Sequence, residues 1–471
     1  MSIESAAATP IGALGRVGRV LAASNRGPVT FDENGRASRA GGGLASVLIP
    51  ALAGVEHLWI AAPVDPADRE VAESQKDVSV DVDGRRLYVR FVSVDADAYR
   101  RYYEDVCVAR LWFAFHNCFA GNLEAAGPDA DTSWAAFVEV NERVAEACVR
   151  ELRDDDFLFV QDYQLALVPR LVRNALPDAR IAYFHHVPWP AASGLAGIPS
   201  FWIDEIVRGI GGADGVGFQS RRWLANFRAR AAQVLAIPPR LHASPARVDE
   251  QALRTAATSA SVVDRAKQFQ SLAGGRRLVA RIERLDPVKN TLGGLRALAL
   301  LLDHAPECRD DVVQVAIAYP SRSHMPEYRD YAQAVESAQE VVESRFPGHS
   351  VLLRDNDMVT ALALMSVADV VAVTPLADGL NLVALEASVV NDRSAELVLS
   401  SSAGCVELIG EGSHVVDPRD AAQTANALAV ALNAPLPVRA KRAELRRRAA
   451  AAATPRDWLA DNVHQALVAR R

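Results

Sequence analysis

No two cysteines stand at C-x-x-C spacing. The five present, Cys107, Cys118, Cys148, Cys308 and Cys405, are scattered and odd in number, which argues against a disulfide framework or a zinc site and for a reducing compartment. No uninterrupted apolar run approaches about 20 residues, and the N-terminus has no signal-peptide core. The expectation is a cytoplasmic chain with no membrane partner. An excess of positive charge is missing too: 51 Lys and Arg stand against 58 Asp and Glu, a net charge of −7, so nucleic acid is not an expected partner. There is no P-loop lysine motif and no strand-linked G-x-G-x-x-G. Neither His185 nor His186 stands at ligand spacing from a cysteine or carboxylate, so a metal site is not expected there.

What is present is an ordinary globular composition, 50% apolar and 23% charged over 471 residues, long enough for two large domains. Short apolar runs alternate with helical patterns, the signature of parallel α/β architecture. In the first half the predicted strands are 19–24, 57–62, 157–160, 181–185 and 215–218. An antiparallel hairpin is predicted around Asp83-Gly84, and a helix over 134–153. The Pro-broken stretch 237–249 reads as a junction between a domain over 1–240 and a second over 241–454. The second series has strands at 277–281, 312–319, 351–353, 369–374 and 397–400. Residues 1–16 read as a mobile tail, and 439–453 as a solvated charged helix.

The residues with chemical potential fall at strand ends, where ligands of such sheets sit. Arg26 follows the first strand and suits a phosphate or carboxylate, or is a surface Arg. Gly42 and Gly43 lead into an apolar helix and permit close backbone approach to an anion, or form a flexible loop. Tyr103 and Trp112 belong to an aromatic cluster that either packs as core or meets a sugar ring. Asp162 and His186 end adjacent strands and are placed to grip hydroxyls, or make structural hydrogen bonds. Arg284 and Lys289 flank a Pro turn that starts a helix, a setting suited to a diphosphate. Arg322 ends a further strand. The stretch Asp378 to Glu386 follows a buried apolar run and combines a Gly turn with a helix start, again an anion site. The pairs Asp81/Asp83 and Asp95/Asp97 read as structural.

Ser-Asn-Arg after the first strand, Gly-Gly-Leu-Ala, Leu-Trp-x-x-Phe-His, Asp-Tyr-Gln-Leu, His-x-Pro-x-Pro, Arg-Leu-Asp-x-x-Lys and Asp-Gly-Leu-Asn-Leu-Val-x-x-Glu occur in this order. Together they resemble the trehalose-6-phosphate synthase family of retaining glycosyltransferases, from about residue 20 to 467. The resemblance implies a GT-B fold, two Rossmann-like domains facing across a cleft, with the C-terminal helix (455–471) returning to the first domain. It implies a nucleotide-sugar donor and a sugar-phosphate acceptor, no essential metal and no other cofactor; a homo-oligomer is compatible with it. By residue, it implies that Arg284, Lys289, Asn381, Leu382 and Val383 bind the donor diphosphate, with Gly42 and Gly43 closing over it. Glu386 would hold the ribose, and Asp378 and His186 the transferred sugar. Asp162 and Trp112 would contact the acceptor, and Arg26, Tyr103 and Arg322 its 6-phosphate. The chain departs from the pattern at Gln161, where a His is usual, and at Asn290, where many members have Gly. In the base pocket Arg354-Asp355-Asn356-Asp357 is similar to members that use a GDP-activated sugar or cyclitol, including validoxylamine 7′-phosphate synthase. Asn356 and its neighbours can accept from the N–H edge of guanine.

Overall fold

The computed structural model describes residues 10–470 apart from 33, 65, 75–76, 83 and 119–129. Asp83 of the expected hairpin turn and the first nine residues of the expected tail therefore lie outside the described residues. The chain divides into two compact units, 1–246 with 454–471, and 247–453.

The first unit is built on an eight-stranded sheet of order β10-β9-β8-β7-β1-β4-β6-β5. Its strands are β1 (Val20–Arg26), β4 (His57–Ala62), β5 (Asp77–Val82), β6 (Arg85–Phe91), β7 (Phe157–Gln161), β8 (Arg180–His185), β9 (Gly215–Phe218) and β10 (Arg240–Ala243). All neighbours run parallel apart from the β5–β6 hairpin. A separate small hairpin pairs β2 (Val29–Phe31) with β3 (Ala37–Arg39). Strands β7 and β9 are buried at every position, as central strands covered on both faces must be. The stretch read as a junction contains β10, so the first unit runs on past residue 240.

The C-terminal helix Pro455–Ala469 belongs to this unit. It lies so close on β9 that a Cβ at Gly215 would meet the Ala466 backbone at 3.0 Å, and one at Gly217 would meet Asn462 Oδ1 at 2.5 Å. Trp458 of this helix is buried against Phe159 and Phe184, and its Nε1 donates to the Ser244 carbonyl at 3.0 Å. Part of the expected tail is ordered against the same helix: Pro10–Leu14 is helical, with Ala13 and Leu14 buried. The Ala and Leu there supply the apolar face that a composition-based reading discounts.

The second unit holds a six-stranded, all-parallel sheet of order β13-β12-β11-β14-β15-β16. The strands are β11 (Arg277–Arg284), β12 (Val312–Tyr319), β13 (Ser350–Leu353), β14 (Val370–Val373), β15 (Glu396–Ser400) and β16 (His414–Val416). The helix Leu436–Ala450 corrects an expectation, for it is not simply a solvated one. Arg446 is 3% exposed and donates to the carbonyls of Ala395 and Gly412, and burial lowers its pKa to about 10. Arg442 of the same helix reaches the buried Glu396 at 3.4 Å. Helix propensity, strong in this stretch, does not reveal which face meets the sheet edge.

The parallel part of each sheet reverses its strand order once, between β1 and β7 in the first unit and between β11 and β14 in the second. Loops leaving the carboxyl ends there diverge and leave a crevice for ligand. Among the described residues no helix is long and apolar enough to cross a membrane.

Candidate active site

In the second unit the loop after β11 carries a buried acid with cations around it. Asp286 has no exposed side-chain surface, and its Oδ1 accepts from the Val288 N–H at 3.1 Å, capping the 3-10 turn Pro287–Lys289. Its Oδ2 lies 3.5 Å from Arg284 Nη2, 3.4 Å from Arg322 Nη1 and 3.4 Å from the Tyr328 hydroxyl. Burial alone would raise this carboxyl. The charges of Arg284, Arg322 and Lys289 outweigh it and hold the group below the usual carboxylate range. A buried carboxylate thus fixes the two guanidiniums in place.

The turn ends at Asn290, whose φ of 64° is left-handed. That explains why this position suits Gly or Asn. The Asn290 side chain donates to the carbonyls of Thr374 and Pro418 at 3.1 and 2.8 Å, tying the turn to the end of β14. Beneath, the buried Arg281 bonds Glu283 and Thr374, and Thr291 donates to Glu283 at 2.9 Å. A Cβ at Gly294 would collide with the Arg281 guanidinium at 2.6 Å, so only Gly admits this contact.

Across the switch point, Lys289 Nζ donates to Asp378 Oδ2 at 2.7 Å, with both side chains largely buried. Asn381 Nδ2 reaches the same oxygen at 3.1 Å. Asp378 is itself held by the loop after β15: its N–H donates to the Ser402 carbonyl, and its carbonyl accepts from Gly404. Asn381, at φ 80°, caps the helix Leu382–Val390 by accepting from Ala384 N at 3.1 Å. Leu382 and Val383 are the first two helical residues, so their N–H groups have no acceptor within the helix. Glu386 follows, half-buried, in its second turn. The fold therefore gathers Arg284, Lys289, Arg322, Asp378, Asn381, Leu382 and Val383. Asn356 is exposed on a different loop, after the edge strand β13. There Asp357 caps the next helix, and Asp355 lies 3.6 Å from Arg265.

In the first unit, Arg26 is the exposed last residue of β1. The Trp59 indole donates to Ser24 Oγ at 2.7 Å, and that hydroxyl donates to the Arg26 carbonyl at 2.6 Å. Asn25 Oδ1 accepts from the hydroxyls of Tyr99 and Tyr102 at 3.3 and 3.0 Å. Tyr103 stacks on Tyr99 at 5.9 Å. Tyr103 and Trp112 both belong to a π-helix, Arg101–Trp112. This winding is rare beyond a single turn and recurs at functional sites. Trp112 packs on the His116 ring at 3.9 Å. Gly42 caps the helix Gly43–Ala51 at φ 121°, a conformation side chains disfavour.

Asp162 follows β7 at φ 68°. Its Oδ1 accepts from the N–H groups of Tyr163 and His186 at 3.0 and 3.1 Å. Although it keeps some contact with solvent, burial pushes its carboxyl up to about 7 against those bonds. His186, after β8, has both ring nitrogens engaged. Nε2 is 2.9 Å from Gln161 Oε1, and Nδ1 is 3.2 Å from Gln219 Nε2. Although His186 keeps some contact with solvent, burial drives its pKa down to about 3, so the ring is neutral. Sequence reasoning gave no role to Asp286 or Gln219. Asp immediately before a turn-initiating Pro is a readable cap signal; Gln219 is marked only by its place one residue past β9.

Among the described residues no group of three or more His, Cys, Asp or Glu is placed to hold a metal. The description "Glycosyltransferase family 20" matches residues 18–467. The chain belongs to this family.

Among relatives, a trehalose-6-phosphate synthase of Mycolicibacterium smegmatis is 31% identical over 443 residues, covering 87% of this chain and 84% of that protein. A validamine 7-phosphate valienyltransferase of Streptomyces hygroscopicus subsp. jinggangensis is 29% identical over 469 residues, covering 93% and 92%. The chain spans 59% of the length of a bifunctional trehalose-6-phosphate synthase/phosphatase of Thermoproteus tenax, at 30% identity over 442 residues, or 88% of this chain. Among solved structures, a UDP-forming alpha,alpha-trehalose-phosphate synthase of Burkholderia xenovorans in complex with glucose-6-phosphate is similar at a TM-score of 0.82. It is 26% identical, covering 94% of this chain and 98% of that one. The chain is thus a glycosyltransferase of the GT-B fold.

Proposed function

We propose that this glycosyltransferase transfers glucose from a nucleotide-glucose, GDP-glucose in preference to UDP-glucose, to a sugar 6-phosphate, with retention of the α-configuration. The observation that carries the reading is the cationic loop end of the second unit. There Arg284, Lys289 and Arg322 surround Asp286, beside the open N-terminus of Leu382–Val390. A diphosphate bound beside Arg284 and Lys289 meets fixed cations and two N–H donors, and the charge that builds on it as the glycosyl bond breaks is met without reorganisation. Asp378 serves the transferred sugar, against which the His186 ring lies, Glu386 serves the ribose, and Gly42 and Gly43 serve the diphosphate. In the acceptor's reach Asp162 and Trp112 take the sugar, and Arg26, Tyr103 and Arg322 the phosphate. The anomeric carbon loses its bond to the diphosphate oxygen and gains one to the acceptor hydroxyl oxygen. The hydroxyl proton passes to the departing diphosphate on the same face. No metal is needed in this scheme, because the cations are supplied by the chain. The preference for guanine rests on Asn356 and Asp355, whose oxygens can accept from its N1–H and amino group.

A second reading is supported by the similarity to the validamine 7-phosphate valienyltransferase over 92% of its length. In it the donor is a nucleotide-activated cyclitol and the acceptor a phosphorylated cyclitol or amino sugar. Product analysis separates the two. The chain incubated with GDP- or UDP-glucose and glucose 6-phosphate should yield trehalose 6-phosphate, faster with GDP-glucose. No disaccharide phosphate from either donor would overturn the first reading and leave the second.

A further inference from the structure

The side chains around His186 form a directed chain of hydrogen bonds whose two ends are fixed independently. At one end the Ala246 N–H, which can only donate, gives its proton to Gln219 Oε1 at 2.8 Å. The other arm of that amide, Nε2, must then donate to His186 Nδ1 at 3.2 Å. At the far end Gln161 Nε2 donates to the Phe159 carbonyl at 3.3 Å, which can only accept. That leaves Gln161 Oε1 facing His186 Nε2 at 2.9 Å as an acceptor. Reasoning from either end requires the proton on Nε2 and none on Nδ1. Gln161 and Gln219 are both buried, and the half-buried His186 packs its ring on Phe184 at 4.6 Å, with Trp458 at 6.0 Å. The His186 backbone N–H is meanwhile given to Asp162 Oδ1. Ala246, which anchors the chain, is the last residue of the first unit before Arg247 opens the second.

We propose that Gln161 and Gln219 lock His186 as the neutral Nε2–H tautomer, which makes them positioning residues of the sugar-binding end of the first unit and removes His186 from any proton transfer. The positioning role rests on the functional reading above, in which His186 and Asp162 lie against substrate. The departure at Gln161 then has a physical meaning. An amide, unlike an imidazole, cannot change its protonation, so the ring it faces keeps one tautomer throughout the cycle. Breaking the Gln161 bond so that Nε2 could serve a sugar hydroxyl would strand a buried acceptor.

The test is nitrogen-15 NMR of the full chain labelled at histidine, with His186→Gln used to assign the ring among ten histidines. At pH 7 the unmodified chain should show a protonated Nε2 and an unprotonated Nδ1. Gln219→Glu keeps an acceptor for Ala246 but loses the donor to Nδ1, so Nδ1 should gain a proton. Gln161→Met/Gln219→Met, which removes both anchors, should give a mixture of tautomers and stands in if Gln219→Glu does not fold. Where turnover is measured, both variants should lower kcat by up to about 10²-fold with much smaller changes in KM. An Nδ1–H ring or an imidazolium in the unmodified chain overturns the lock. Variants that move the ring signals but leave kcat unchanged overturn the positioning role. The ring signals need no turnover, so failure of the proposed transfer reaction is read separately from failure of the lock.

Discussion

The two units place acids at the same topological position and treat them in opposite ways. In the first, Asp162 and His186 stand at the ends of β7 and β8 among amides, backbone N–H groups and aromatic rings. Burial governs there: it pushes the acid up to about 7 and the imidazole down to about 3. In the second, Asp286 is buried at least as deeply, yet Arg284, Arg322 and Lys289 hold it ionised. Burial in the first unit favours neutral hydrogen-bonding groups, suited to sugar hydroxyls. The second unit offers a preorganised field of charge, suited to a diphosphate. The lesson is that burial sets the sign of a shift only where no charge lies within a few ångströms to oppose it.

The sharpest way to break this contrast is to remove a cation. Lys289→Ala should lower kcat by about 10²–10³-fold, as loss of a donor to developing charge does; steady-state turnover unchanged in this variant would rule out the diphosphate assignment. Asp286→Ala should cost about 3–5 kcal/mol of stability, because it leaves cations facing a buried void; urea denaturation of the two proteins measures it. Arg26→Ala in the first unit should raise KM for the acceptor about 10- to 100-fold, the worth of one charged hydrogen-bonding group. KM for the donor should change little, and an equal rise in both would remove Arg26 from the acceptor.

The smallest effect concerns pH, and the two acids should differ in sign. The folded carboxyl of Asp286 titrates below its unfolded value. Its contribution to stability is present above about pH 4 and is lost as pH falls through the folded value. Asp162 is raised in the folded state from 3.8 to about 7. Its contribution is present below about pH 4 and is lost as pH rises toward about 7. Asp162→Asn should therefore gain stability relative to the unmodified chain between pH 5 and pH 8, by on the order of 1–3 kcal/mol. Denaturation curves at both pH values give the answer; a constant difference would place Asp162 outside the influence of burial.

Much of this architecture is legible in the chain itself. Runs such as Val370–Val373 are apolar at every position, and only a strand covered on both faces accommodates them. Arg284, Pro287 and Lys289 announce a strand end, a turn and a helix start, and Asp378 to Glu386 does the same across the sheet. The structure adds the reason for Asn290, a left-handed φ that sequence spacing does not display. It also corrects the helix read as solvated, since nothing local reveals that Arg446 faces carbonyls rather than water. The tyrosines and Trp112 follow the same rule: their types were visible, but the π-helical winding that presents Tyr103 and Trp112 was not.

The order of most strands and helices, and the residue types at their carboxyl ends, were thus determined by the sequence alone, because they follow from period, turn chemistry and side-chain type. The tertiary structure decided which of those ends meet at a switch point. It decided that Asp286 is held below the usual carboxylate range while the Asp162 carboxyl is pushed up to about 7, and that the His186 ring has both nitrogens spoken for. These outcomes depend on which groups from distant segments lie within a hydrogen bond or a few ångströms of one another, and neither a pattern nor a propensity carries that distance.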